Sequence, residues 1–175
     1  NKKIIGVGET GLDFYYNHSE ASIQKKVFLK HIEASQATSK PLIVHSRNAE
    51  KDTFEILSSE KKNKNFNVLM HCFTGSKEFA HRLIDIDCYF SASGVITFKK
   101  SKELAQTFKS IPNDKILVET DSPYLSPEPL RGKINVPSNI VHTVKFISIL
   151  KETTDKDVEK FTTNNFQQLF NLNIV

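Results

Sequence analysis

The sequence predicts an α/β fold built on a parallel sheet, and two observations predict it. Short apolar runs rich in Ile and Val alternate with longer amphipathic stretches, the pattern of successive βα units. The runs are apolar throughout rather than alternating, as strands buried on both faces must be. A length of 175 residues allows one domain with a sizeable core, expected to occupy 1–175.

Taken in order, the expected strands are Ile4 to Gly8, Leu42 to His45, Val68 to His71, Tyr89 to Ser93 and Ile116 to Thr120. Helices fall between them by period. Ile23, Val27, Phe28, His31 and Ile32 mark the first, and Thr53, Phe54, Ile56 and Leu57 the second. Phe79, Leu83 and Ile84 mark the third; Leu104 and Phe108 mark the fourth, which Pro112 stops. A Pro-rich loop from Ser122 to Pro137 precedes two more helices. One carries Ile140, Val144, Ile147 and Leu150; the last opens at the capping pattern Thr154-Asp155-x-Asp157 and ends near Leu169 and Phe170.

Composition removes several function classes. No apolar run approaches the ~18 to 20 residues that span a bilayer, so no membrane is expected as a partner. The cysteines, Cys72 and Cys88, form neither a disulfide framework nor a C-x-x-C pair, which fits a reducing, cytoplasmic compartment. A net charge of +4 is compatible with a polyanionic partner without requiring one. Basic residues are dominated by Lys, with Arg only at 47, 82 and 131, positions where a planar bidentate donor is worth examining. The chain opens at Asn1 without an initiator Met and is in an apolar run by Ile4, so a piece of a longer protein is expected.

In parallel α/β folds, ligands gather at the carboxyl ends of the strands. These ends read Gly8-Glu9-Thr10-Gly11, His45-Ser46-Arg47, His71-Cys72-Phe73, Ser91-Ala92-Ser93-Gly94 and Glu119-Thr120-Asp121-Ser122. Parallel strands share one rim, so Glu9, His45, His71 and Asp121 can face a single volume despite gaps of 36, 26 and 50 positions. Two imidazoles and two carboxylates suit Zn²⁺, Mn²⁺ or Mg²⁺. Alternation along a strand puts Arg47 on the side of His45, as a phosphate clamp, and Glu119 on the side of Asp121, as an acceptor behind the ligands. It turns Cys72 toward the helices and the core. The stiff loop after Asp121 can hold Tyr124, Arg131 and Lys133 over the rim, where an aromatic face can stack a base and the cations can bind phosphates.

Four strings taken together, Gly8-Glu9-Thr10-Gly11-Leu12-Asp13-Phe14-Tyr15, Pro41-Leu42-Ile43-Val44-His45-Ser46-Arg47, His71-Cys72-Phe73-Thr74-Gly75-Ser76 and Glu119-Thr120-Asp121-Ser122-Pro123-Tyr124-Leu125 with Arg131-Gly132-Lys133, resemble the TatD family of metal-dependent deoxyribonucleases. The resemblance implies a TIM-type (β/α)8 barrel related to amidohydrolases, with two divalent ions at the strand ends. Carried over, Glu9 bridges both ions, His45 and His71 complete one, and Asp121 ligates the other and orients or deprotonates the attacking water. DNA, or RNA, is the implied substrate, cleaved by an exonuclease-like phosphodiester hydrolysis, commonly with Mg²⁺; Arg47, Tyr124 and Arg131, from their placement at the rim, are the expected substrate contacts.

The family pattern begins with a His-x-His on the first barrel strand, and no His-x-His occurs in this sequence. The five strands then correspond to the fourth through eighth of the barrel. This leaves one complete ligand set, at most one tightly held ion per chain, and an exposed strand edge expected to promote association. Two alternatives accompany the nuclease reading: a metal-dependent amide or ester hydrolase of the amidohydrolase type, and an inactive metal- or nucleic-acid-binding fragment.

Overall fold

The computed structural model describes residues 3–16 and 18–172. Its strands are β1 (Val7–Asp13), β2 (Leu42–Arg47), β3 (Val68–Met70), β4 (Cys88–Ala92) and β5 (Ile116–Val118). All neighbours pair in parallel, in the spatial order β1-β2-β3-β4-β5. Helices α1 (Ala21–Thr38), α2 (Glu50–Asn63), α3 (Lys77–Asp85) and α4 (Lys102–Ser110) make the four crossovers, and α5 (Ile140–Leu150) and α6 (Asp155–Phe170) close the chain. The sheet is open: β1 and β5 are its edges among the described residues.

The helix-facing side of the sheet is the main core. Leu42, Val44, Val68, Met70, Phe90, Ala92 and Ile116 pack there against Phe28, Ile32, Leu57, Phe79, Leu83 and Phe108 of α1 to α4. These were the periodic apolar positions of the sequence, and burying each large side chain contributes roughly 1.5–3 kcal/mol. The opposite side is layered. Ile43, Leu69, Tyr89 and Leu117 form a lower apolar layer with Leu169 and Phe170 of α6, whose start is fixed by the expected capping box between Thr154 and Asp157. Two residues further along each strand or its continuation, the same side carries His45, His71, Ser91 and Glu119. The sheet is thus dry at one end and polar at its carboxyl end.

The first strand departs from expectation: β1 does not end at Gly8 but runs on to Asp13 beside β2. Val7 pairs with Leu42 and Thr10 with Val44, so Gly8 and Glu9 together oppose Ile43 in a bulge. Gly11 lies opposite His45 at φ 148°, where a Cβ would come within 1.9 Å of the His45 carbonyl oxygen. Only glycine permits that approach. The glycines that read as a strand end are what let β1 continue against β2.

Candidate metal centre

Glu9, His45, His71 and Asp121 all line one cavity of about 720 Å³ at the carboxyl edge of the sheet. Glu9 is delivered by the β1 bulge, His45 by β2, His71 by the turn after β3 and Asp121 by the segment after β5. Oε1 of Glu9 lies 3.2 Å from Nδ1 of His45 and 3.5 Å from Nε2 of His71, so one carboxylate oxygen stands between two imidazoles. The far nitrogens are held as well. Asp13 Oδ2 is 3.2 Å from His45 Nε2, and Glu119 Oε2 is 3.0 Å from His71 Nδ1. Each imidazole therefore sits between an inner and an outer carboxylate, the arrangement that fixes ring orientation and tautomer in metal-binding histidines.

Two groups of side chains have ligand atoms within 4.8 Å of one another: Glu9 with His45 and His71, and His71 with Glu119 and Asp121. Asp121 thus joins the cavity but belongs to the second group, and Glu119 stands with it as an equal member. The donor set fits a hard or borderline divalent ion, being imidazole nitrogens and carboxylate oxygens. A second observation supports the fit. Glu119 Oε1 is buried without a hydrogen-bond partner among the described residues, although Oε2 accepts from Ser91 Oγ at 2.5 Å as well as meeting His71. A buried carboxylate oxygen left bare is costly unless a cation completes it.

The electrostatics follow from these contacts. The hydrogen bond to Glu9 raises His45 above the ordinary 6.5, with Asp13 adding to it against burial. The hydrogen bond to Glu119 does the same for His71. Glu9 is held below the usual carboxylate range, chiefly by His45. Burial pushes Asp121 the other way, upward.

The substrate-side expectations divide. Arg47 lines the cavity with its guanidinium packed on two rings, 4.1 Å from the centroid of Tyr15 and 4.6 Å from that of Tyr16. Tyr124 also lines the cavity and is 72% exposed. Arg131 does not reach it: the guanidinium stacks on Phe98 at 3.7 Å, a flat aromatic partner that satisfies it away from the rim. Lys133 likewise lies outside the lining. Cys72 is a correction in the opposite sense. Strand geometry ends at Met70 and Cys72 adopts φ 43°, so alternation no longer governs it. It lines the cavity, 3.1 Å from Ser93 Oγ, and burial pushes its thiol up to about 12, which keeps it protonated.

Asp13, Ser91 and the Tyr15–Tyr16 pair were missed as site residues. Asp13 is two positions beyond Gly11 and four beyond Glu9, a strand-face spacing that becomes visible once β1 is extended. Its Oδ1 also accepts from the amides of Tyr15 and Tyr16 at 2.9 Å, so the same carboxylate that steadies His45 folds the aromatic pair over Arg47.

Residues 1–171 match the family model described as TatD related DNase. The chain is 47% identical over 171 residues to an uncharacterized metal-dependent hydrolase, BU355, of Buchnera aphidicola subsp. Acyrthosiphon pisum, covering 98% of this chain and 64% of the relative. It is 40% identical over 169 residues to the uncharacterized metal-dependent hydrolase YcfH of Escherichia coli K12, covering 97% of this chain and 63% of that protein. The solved structure of YJJV, a TatD homologue from Escherichia coli K12, superposes with a TM-score of 0.89 at 22% identity, over 97% of this chain and 65% of that one. The fold is therefore α/β with five parallel strands, matching a TIM-type barrel relative but laid out as an open sheet. The chain belongs to the TatD family and spans about two thirds of the length of the curated relatives it matches.

Proposed function

We propose that this chain carries the ligand-bearing part of a metal-dependent hydrolase whose substrate is a phosphodiester of DNA or RNA. The observation that carries the reading is the position of Glu9 Oε1 between the imidazoles of His45 and His71, each braced from behind by a second carboxylate. Glu9, His45 and His71 would hold a divalent ion, with Asp121 and Glu119 offering a partial second set that shares His71. Bound there, Mg²⁺, Mn²⁺ or Zn²⁺ supplies Lewis acidity toward a phosphoryl oxygen and toward the attacking water.

The protein's own groups do the rest. Asp121, with its affinity for protons raised by burial, accepts the proton that the nucleophile must lose. Arg47 is pre-oriented by the tyrosines that flank it, so its donors can meet phosphate oxygens at small entropic cost. Tyr124 offers an exposed ring beside them for a base. The wall from Ser91 to Glu119 to His71 keeps the second imidazole aimed while substrate exchanges.

Replacing Glu9 by Gln tests the reading, because it keeps the shape and removes the charge. Divalent-dependent cleavage of single-stranded DNA is expected to fall by at least about a hundredfold, with the circular dichroism spectrum and melting temperature close to those of the parent. Undiminished cleavage would remove Glu9 from the centre. Cleavage that weakens steeply with salt supports the phosphodiester substrate, whereas salt-insensitive turnover of a small neutral ester supports the amide or ester reading instead.

A further inference from the structure

A second cavity of about 720 Å³ adjoins the first at the same edge of the sheet. The two share Thr74 as a wall, so a groove between α3 and α4 begins beside the space around the candidate metal centre. Its lining includes Lys77, Lys100 and Lys102, all exposed and without an ion pair among the described residues, against a single carboxylate, Glu103. Ser76, also in the lining, is already engaged: its hydroxyl donates to Glu50 and accepts from the amide of Phe79. Beside the three ammonium groups the groove presents the hydroxyls of Thr74 and Ser101, the amide of Gln106 and the carboxylate of Glu103.

We infer that this groove is a backbone-binding track for a nucleic-acid single strand, carrying the strand away from the metal centre by contacts to two or three successive phosphates. Three reasons favour a strand over a small anion. Each cavity alone falls within the range of a ligand-sized pocket, roughly 300–1,000 Å³, so the adjoining pair offers more room than one nucleotide fills. Lysines without ion pairs at the starts of two helices are flexible point charges, suited to following a phosphate chain and poorly suited to enclosing one ion. The exposed ring that can stack a base, Tyr124, lines the first cavity, so stacking and phosphate attraction are placed in series. The lysines act through charge on the whole strand and touch none of the reacting atoms.

This inference rests on the phosphodiester reading, yet it is tested without turnover. A fluorescently labelled twelve-residue oligothymidylate and the labelled dinucleotide are titrated with the full chain in EDTA, by anisotropy at several salt concentrations. The parent is expected to bind the longer strand at least about tenfold more tightly than the dinucleotide. Replacing Lys77, Lys100 and Lys102 together by Gln should remove that preference and reduce the salt slope by about two, leaving the dinucleotide unaffected. A control variant with Gln at Lys26, Lys156 and Lys160, which line neither cavity, should keep both. Equal binding of the two lengths by the parent, an unchanged slope in the groove variant, or an equal loss in the control variant would each overturn the track. Should the triple variant fold poorly, the single replacements of these exposed lysines decide by the same slope, each expected to lower it by about 0.7. If Glu9→Gln spares cleavage while the length preference depends on these lysines, the catalytic reading fails and the track stands.

Discussion

At the scale of single residues, the account turns on how two imidazoles are held. His45 and His71 each lie between carboxylates, and the hydrogen bonds they donate to Glu9 and Glu119 raise their affinity for protons. In the metal-free chain the protonated rings stabilise the fold. That contribution is complete below the unfolded value near 6.5 and is lost as pH rises through the higher folded values, so the melting temperature in EDTA is expected to fall from pH 6.5 upward. With a divalent ion present the sign reverses, because the ion needs the neutral rings that higher pH supplies. Thermal melts across this range, with and without Mn²⁺, check both slopes. Parallel curves would contradict the site. Much of this was legible: strand-end His and acidic residues converge by topology alone. The second carboxylate on each ring was only half visible. Glu119 follows from alternation with Asp121, while Asp13 was hidden by the misplaced end of β1.

At the scale of elements, β1 and its neighbours decide the geometry. Gly11 allows the chain to lie against the His45 carbonyl, and the bulge at Gly8 and Glu9 aims the shared carboxylate. Replacing Gly11 by Ala should therefore cost more than about 1 kcal/mol of stability and weaken divalent binding together, since the clash is with backbone that cannot swing away. Chemical denaturation and a metal titration of the same variant check it; a loss of neither would contradict the proposed role of the strand contact. The sequence showed every helix of the main core through its apolar period, and β2 to β5 through their short apolar runs. It misled at β1, where glycine normally signals a break, and at Cys72, where alternation was carried past the end of a strand. Arg131 failed for another reason: no local pattern discloses that Phe98 will compete for its guanidinium.

At the scale of the whole molecule, the five strands form a sheet whose two edges are unpaired among the described residues, with a polar layer standing over an apolar one. Unpaired backbone along β1, with Ile4 half exposed beside it, offers another chain a place to add. The isolated chain is expected to self-associate as its concentration rises, and light scattering coupled to size exclusion would show it; a stable monomer across the range would mean that the edge is protected.

His71 belongs to both ligand groups, so the whole centre depends on it and the two groups cannot both be filled independently. A calorimetric titration of the parent and of His71→Ala with Mn²⁺ therefore decides whether the two imidazoles hold a divalent ion. One tight site per chain in the parent, abolished in the variant, is the predicted result. Binding of equal strength in the variant would contradict it, as would a pair of equal sites in the parent.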